Sequence, residues 1–343
     1  MTTATNPILQ TEQIVQDILE SIEREREREI IARRFGLFDR KETLEQIGEL
    51  LGITRERVRQ LEKSVISRLK GSAKELPHVL EVQTTLLAKL KELGDTARIT
   101  TLSNHLTAEN TRTDQSRLAF LTEICPEISA ISEDDNFYQS AGITTTHDEA
   151  TIKGEVAKLV DAIGKAGKPL ETVELTKQAS MSNETYTTAL ASTSKQLATL
   201  NGRWGLVKWP TVNPKNIRDK IYVILSENGK HMHFNEIAKA IKDSDFKRKD
   251  VTTQAIHNEL IKDKRFVLIG RGIYALKEWG YKKGTVADII SQVLREAGEP
   301  LHRDEIVKRV LKSRFVKETT ILLNLQSKDQ FKRVAKATYE LAE

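Results

Sequence analysis

Apolar residues recur at helical spacing on both sides of a short break between Glu42 and Lys70. Leu44, Ile47, Leu50 and Leu51 fall on one face of a first helix, and Val58, Leu61, Val65 and Leu69 on one face of a second. Thr43, followed three positions on by Gln46, forms a capping box in which each side chain satisfies a backbone N–H that the helix start leaves open. Gly52 stands where the first helix must stop and the backbone must turn to positive φ. Thr54 can cap the second helix by accepting from its first free N–H groups. The polar residues of that helix, Arg55, Glu56, Arg59, Gln60 and Lys63, are left facing outward. Arg and Gln pair bidentately with guanine and adenine edges, and Glu accepts from cytosine. The pattern predicts a helix-turn-helix with Arg55–Leu69 as its recognition helix. A helix pair serving only as a packing unit has no use for so many Arg and Gln on one face.

The same stretch carries a family resemblance. Arg24 to Lys70, with RERERE, IIARRFGL, TLEQIGELLGITRERVRQLEK and SRLK in that order, resembles region 4 of bacterial sigma-70-type factors over about a seventh of the chain. The resemblance implies a domain that binds the −35 promoter element and docks on core RNA polymerase. It implies base reading by Arg55, Glu56 and Gln60, with Thr54, Arg57, Arg59 and Lys63 near phosphates. Upstream, Ile8, Ile14, Ile18 and Leu19 mark an amphipathic stretch that either packs on the first domain or serves as a partner-binding arm. The Arg–Glu alternation of Arg24–Glu29 predicts a solvated helix face. GSAKELP, Gly71 to Pro77, predicts the end of the recognition helix and a linker.

Beyond the linker the chain repeats itself. Hairpin-like strings end four segments, at Glu127–Ile143, Gln196–Trp209, Arg265–Trp279 and Gln330–Glu343, and aligning Tyr138, Gly205, Tyr274 and Tyr339 spaces them by 67, 69 and 65 residues. Each string predicts two short strands about a turn, which in the first segment is Glu133-Asp134-Asp135-Asn136. Helix-like stretches precede each hairpin; in the third segment they are Ile217–Glu227, Phe234–Lys242 and Thr252–Lys262. Three helices plus a hairpin make a winged helix. The expected fold is mainly α with small β-hairpin wings. Its units are a helix-turn-helix domain over 1–76, a degenerate acidic winged helix over 77–148, and winged helices over 149–214, 215–283 and 284–343. Trp204, Trp209, Trp279, Tyr274 and Tyr339 are expected to close the small cores rather than to stack on bases.

VTTQAIHNELIKDKRFVLIGRGIYALKEW, in the third segment, resembles the HARE-HTH winged helix, the domain shared with the delta subunit of bacterial RNA polymerase. LNGRWGLVKW shares its ending, and VKETTILLNLQSKDQFKRV fits the last helix and first strand without the terminal Trp. The first segment rests on periodicity and position alone. This second resemblance implies a transcription-associated module and does not imply sequence-specific reading.

Charge divides the segments. Basic against acidic residues number 13 to 9 over 24–70, 5 to 12 over 80–149, 8 to 5 over 150–214, 16 to 9 over 215–283 and 11 to 9 over 284–343. The acidic segment would be repelled by the phosphate lattice, which carries one charge per ~1.7 Å of duplex axis. The segment over 215–283 is the best second contact with DNA. Lys247, Arg248 and Lys249 precede its third helix, and Lys262, Lys264 and Arg265 lead into its hairpin. Such contacts give affinity and no sequence information.

Nothing points to an enzyme. The seven histidines are scattered, and His231-x-His233 lacks Cys or carboxylate partners at metal-site spacing. There is no GxxxxGK(S/T) loop, GxSxG elbow or HExxH pair, so no catalytic residue, cofactor or metal is expected. Cys125 is the only cysteine, which excludes an internal disulfide. No apolar run approaches the ~18 residues of a membrane helix and no secretory signal opens the chain, so no membrane partner is expected and a cytoplasmic, nucleoid-associated location is. The expected partners are double-stranded DNA and RNA polymerase core or a sigma factor. The sequence predicts a transcription regulator that reads promoter-type DNA and is not a complete sigma factor. Against it stand a polymerase-associated scaffold in the manner of the delta subunit and a subunit delivering a DNA-processing enzyme. Sign of regulation and oligomeric state are not legible.

Overall fold

Helix ends in this protein fall where capping side chains put them. Thr43 accepts from the Gln46 N–H at 3.2 Å while Gln46 Oε1 accepts from the Thr43 N–H at 2.9 Å, so both halves of the capping box form. Gly52 ends that helix at φ 64°, and a side chain on Gly48 would meet the Ile53 carbonyl at 2.7 Å, which is how the tight turn is closed. The computed structural model describes residues 8–246 and 250–342. They are mainly α-helical with small three-stranded antiparallel sheets. The chain divides into two compact units, Met1–Lys208 and Trp209–Glu343.

The first unit opens with α1 (Thr11–Glu20), α2 (Glu25–Phe35), α3 (Leu44–Leu51) and α4 (Arg55–Gly71). It continues with α5 (Val79–Leu93), β1 (Thr96–Arg98), α6 (Ile99–Leu106), α7 (Arg112–Ile124), β2 (Ile128–Ile131) and β3 (Ser140–Ile143). The same order recurs in α8 (Glu149–Ala166), β4 (Leu170–Glu171), α9 (Thr172–Gln178), α10 (Glu184–Thr193), β5 (Leu197–Leu200) and β6 (Arg203–Leu206). The second unit holds two more copies. One is α11 (Ile217–Asn228), β7 (Met232–His233), α12 (Phe234–Asp243), α13 (Thr253–Lys262), β8 (Phe266–Gly270) and β9 (Ile273–Leu276). The other is α14 (Val286–Ala297), β10 (Leu301–His302), α15 (Arg303–Ser313), α16 (Glu318–Ser327), β11 (Phe331–Ala335) and β12 (Thr338–Leu341).

Each copy has a strand the hairpin pattern did not show. β1, β4, β7 and β10 pair with the second hairpin strand, so the sheets run β1-β3-β2, β4-β6-β5, β7-β9-β8 and β10-β12-β11. These strands are two or three residues long, too short for a period of two to register. They also correct the repeat's phase. Leu170, Met232 and Leu301 pair with Trp204, Tyr274 and Tyr339, and Ala97 pairs with Ala141. The aromatic column therefore runs through Trp204, not Gly205, and Tyr138 lies outside it. Trp204, Tyr274 and Tyr339 are buried, while Trp209 and Trp279 are half-buried.

Two cores serve the N-terminal region. Ile30, Ile47 and Val58, with Leu44, Leu51, Ile53 and Leu61 against them, hold α2, α3 and α4 together. A larger one runs without a break from Leu9 to Ile143. It takes Ile14, Val15, Ile18 and Leu19 from α1, Val65 and Leu69 from α4, and Leu118 to Leu121 from α7. Ala73, within the expected linker, is buried in it. The helix-turn-helix and the acidic segment thus share one interior, and the expected division at residue 76 falls inside it. α1 packs on α7, and Ile8 and Leu50, expected on inward faces, are exposed. The Arg–Glu run is not wholly solvated either. Glu27 is buried, accepting from Arg68 Nη2 at 2.5 Å and Arg24 Nη1 at 3.3 Å.

Candidate nucleic-acid interface

α4 divides its residues by the side on which they fall. Val58, Val65 and Leu69 are buried, and Thr54, Arg55, Glu56, Arg57, Arg59, Gln60 and Lys63 are all exposed. Thr54 caps the helix, its hydroxyl accepting from the Arg57 N–H at 3.2 Å. That cap fixes the first turn, where Arg55 and Glu56 sit, and the free N–H groups beside it favour an anion.

The exposed side chains are paired with one another. Arg59 donates to Glu56 through Nε at 2.9 Å and Nη2 at 2.7 Å, and Gln60 Nε2 donates to the same carboxylate at 3.3 Å. Arg55 Nη1 lies 3.1 Å from Glu45 on α3. Hydrogen bonding from Arg59 holds the Glu56 carboxyl below the usual range, so it is an acceptor at neutral pH. These bonds are solvated and of little energetic weight. They pre-arrange a row of donors and one acceptor that can exchange its partners for base edges and phosphates. The sequence placed these residues outward; it did not reveal that they bond to each other, although Glu56 and Arg59 stand at the helical spacing that allows it.

The expected second contact is altered. Arg265 lies 2.8 Å from Asp263 and 3.2 Å from Asp219, with its guanidinium 5.4 Å from the Tyr222 ring centre. Its charge is matched within the fold, which removes it as a free phosphate contact. Asp263, two positions away, was the legible warning; Asp219 was not. Lys262 and Lys264 are exposed. Lys247, Arg248 and Lys249 lie outside the described residues.

The third helix of the acidic segment takes no part in such a surface. α7 is buried from Arg117 to Thr122. The hairpin beside it is acidic but answered locally. Lys195 contacts Glu133 at 2.7 Å, Lys153 contacts Asp134 at 3.4 Å, and the Arg98 guanidinium sits 3.8 Å from the Tyr138 ring centre. Among the described residues no group of three or more His, Cys, Asp or Glu could hold a metal ion. His233 caps α12 and His231 stacks on Phe315 with ring centres 4.5 Å apart. Burial pushes the Cys125 thiol up to about 12. No helix among the described residues is long and apolar enough to cross a membrane.

Comparison with known proteins bears on the same stretch. The model of the family described as Sigma-70, region 4 matches residues 24–71. RNA polymerase sigma factor sigB of Arabidopsis thaliana is 51% identical over 47 residues, 13% of this chain and 8% of that protein. RNA polymerase sigma factor RpoD of Helicobacter pylori is 47% identical over 59 residues, 17% and 9% of the two chains. RNA polymerase sigma factor SigA of a Bacillus species is 41% identical over 70 residues, 20% and 18%. The chain therefore spans less than a fifth of the length of these relatives. Residues 24–71 carry a sigma-70 region 4 domain, a DNA-binding and non-catalytic helix-turn-helix of a family that contacts RNA polymerase.

Proposed function

We propose that the chain is a transcription regulator that reads promoter-type duplex DNA through Arg55, Glu56 and Gln60. In this reading Thr54, Arg57, Arg59 and Lys63 hold the flanking phosphates. The observation that carries it is the exposed polar face of α4, backed by a helix rigidly cored on its other side. Arg55 and Gln60 lie on successive turns and reach successive positions of a major groove, which admits one helix. The regulator contacts RNA polymerase core or a sigma factor and works in the cytoplasm at the nucleoid. The segments over 149–214, 215–283 and 284–343 act as HARE-HTH-like winged helices. Lys264, and Lys247, Arg248 and Lys249, supply secondary phosphate contacts.

Duplex binding across a salt series tests this. An Arg55→Ala/Gln60→Ala variant should lose at least about tenfold in affinity for promoter duplex and little for random duplex, since each bidentate base contact is worth about 1–3 kcal/mol. Unchanged affinity for promoter DNA would sink the base-reading assignment. The rival, a polymerase-associated scaffold, draws support from one feature: α7 is buried by its own chain, so the third helix of that segment has no reading face. Co-purification with polymerase by the Arg55→Ala/Gln60→Ala variant, together with promoter affinity equal to that of the unaltered chain, would favour the scaffold.

A further inference from the structure

Four hairpins of one topology differ in the chemistry of their strands and tips. The first is acidic and neutralised by Lys153 and Lys195. The fourth, β11–β12, is cationic. Lys328 precedes it, Lys332 and Arg333 lie on β11, and Lys336 sits at the turn, all four exposed. Val334 and Ala335 are exposed as well, so past Phe331 both faces of β11 stand in solvent. A strand wet on both faces adds nothing to a core, and it is also the edge of its sheet. Among the described residues, the one carboxylate within salt-bridge distance of these cations is Glu340, 4.0 Å from Lys332.

The tip is nonetheless held. Ala337 adopts φ 55°, a left-handed conformation that a residue with a Cβ disfavours. Its carbonyl accepts from the Arg303 N–H at 2.8 Å at the start of α15. Arg333 Nε donates to the Ala335 carbonyl at 3.1 Å across a register shift between those two residues. A fixed ribbon whose cations meet one carboxylate, Glu340, at the limit of salt-bridge distance presents charge with little ordering left to do on binding.

We propose that β11–β12 is a phosphate-binding wing, in which Lys332, Arg333 and Lys336 contact the sugar–phosphate backbone of duplex DNA without reading bases. The proposal rests on the reading that the chain engages DNA through α4 and adds a second, sequence-independent foothold in the other unit. The competing account is that these cations guard an open sheet edge against pairing with another chain, a use to which Lys is often put. The two accounts predict different measurements.

The test compares the full chain with a Lys332→Ala/Arg333→Ala/Lys336→Ala variant, titrated by fluorescence anisotropy onto promoter and random duplexes over a salt series. Each phosphate contact contributes about 0.9 to the slope of log affinity against log salt, so losing three should flatten it by roughly 2–3. The fall in affinity should be the same factor on both duplexes. Lys336→Glu alone, at the exposed tip, should move the slope in the same direction and covers the case that the triple variant folds poorly. An unchanged slope accompanied by concentration-dependent self-association would overturn the wing in favour of the edge guard. A loss confined to promoter duplex would overturn the backbone assignment. A steep wild-type slope that the wing variants leave intact, with Arg55→Ala/Gln60→Ala still losing promoter affinity, sinks the wing and spares α4. A flat wild-type slope on both duplexes removes both.

Discussion

α4 closes the set α2–α4 and α7 closes the set α5–α7, and the two helices are packed in opposite ways. α4 buries Val58, Val65 and Leu69 and leaves Arg55, Arg57 and Arg59 in water. α7 is enclosed by α1, α2, α4, α5 and α6. Of its two arginines, Arg112 is exposed at the first turn and Arg117 is buried: Nε donates to the Leu37 carbonyl at 2.8 Å and Nη2 lies 2.9 Å from Glu12. α4 holds its arginines in solvent, whereas α7 uses Arg117 to tie its own chain together. Topological position does not assign a helix to DNA.

Hollowing out α7 should have the largest effect on the fold. Phe120 is fully buried and meets Phe35 of α2 edge-on with ring centres 5.3 Å apart. Phe120→Ala should cost about 3–5 kcal/mol of stability, the range for a large aromatic lost from a packed core. Because Leu9 to Ile143 share one interior, the loss should appear as one transition lowering helix-turn-helix and acidic segment together. Cys125 reports on it independently: buried, with its thiol pushed up to about 12, it should react with a thiol reagent only on opening, and much faster in the variant. Two separate transitions, with the helix-turn-helix unmoved, would mean that the interior is not shared.

Next in size is the buried acid on the DNA-binding side. The Arg68 guanidinium, bonded to Glu27, holds this carboxyl below its ordinary range. A carboxyl so depressed adds stability that is fully present above its unfolded value of about 4.3 and is lost as pH falls through the lower folded value. Glu27→Gln keeps the shape and removes the charge. It should cost about 1.5–3 kcal/mol at neutral pH, nearer the lower figure because Arg68 is half exposed, and the gap should close in acid. Thermal midpoints at neutral pH and near pH 3 measure it; a gap independent of pH would exclude the ion pair as its source.

The same contrasts show what a sequence discloses. Thr43, Gln46, Gly52 and Thr54 act within a few residues of themselves, so the helix-turn-helix and its outward face were readable. The four consecutive apolar residues Leu118 to Leu121 are a mark of burial of α7 on several sides that the repeat pattern does not bring out. Which elements would cover it was not readable, since α1 lies about a hundred positions upstream. Leu50 went wrong because an eight-residue helix has too few turns to define its face. Arg265 and Glu27 went wrong for one reason: a charge is matched in space by partners such as Asp219 and Arg68, and periodicity carries no record of them.

A smaller loss is expected at the start of α4. Thr54→Ala removes the hydroxyl that accepts from Arg57 and should cost about 1 kcal/mol, the usual loss for an N-cap. The loss should be local. Hydrogen exchange should quicken at the Arg57 amide and leave the α7 amides protected, and promoter affinity should fall because Arg55 and Glu56 stand on the turn that frays. Quickened exchange throughout α7 would contradict the division between a presented helix and an enclosed one.

The smallest expected effect on folding is the most telling for function. Glu56 ties up Arg59 and Gln60 through three hydrogen bonds on a solvated surface and stands in the first turn of α4, so Glu56→Gln should lower the unfolding midpoint only slightly. Binding should change in two directions. With one negative charge gone beside the phosphates and Arg59 released, affinity for random duplex should rise by about two- to fivefold at low salt. With the carboxylate acceptor gone, preference for the promoter duplex should shrink, because a cytosine amino group loses its partner. A residue that merely decorates a solvated helix would alter neither, and one that only repels DNA would raise affinity for both duplexes equally. Opposite movement of affinity and preference is the signature of a helix whose exposed face discriminates between bases, and nothing on α7 could reproduce it.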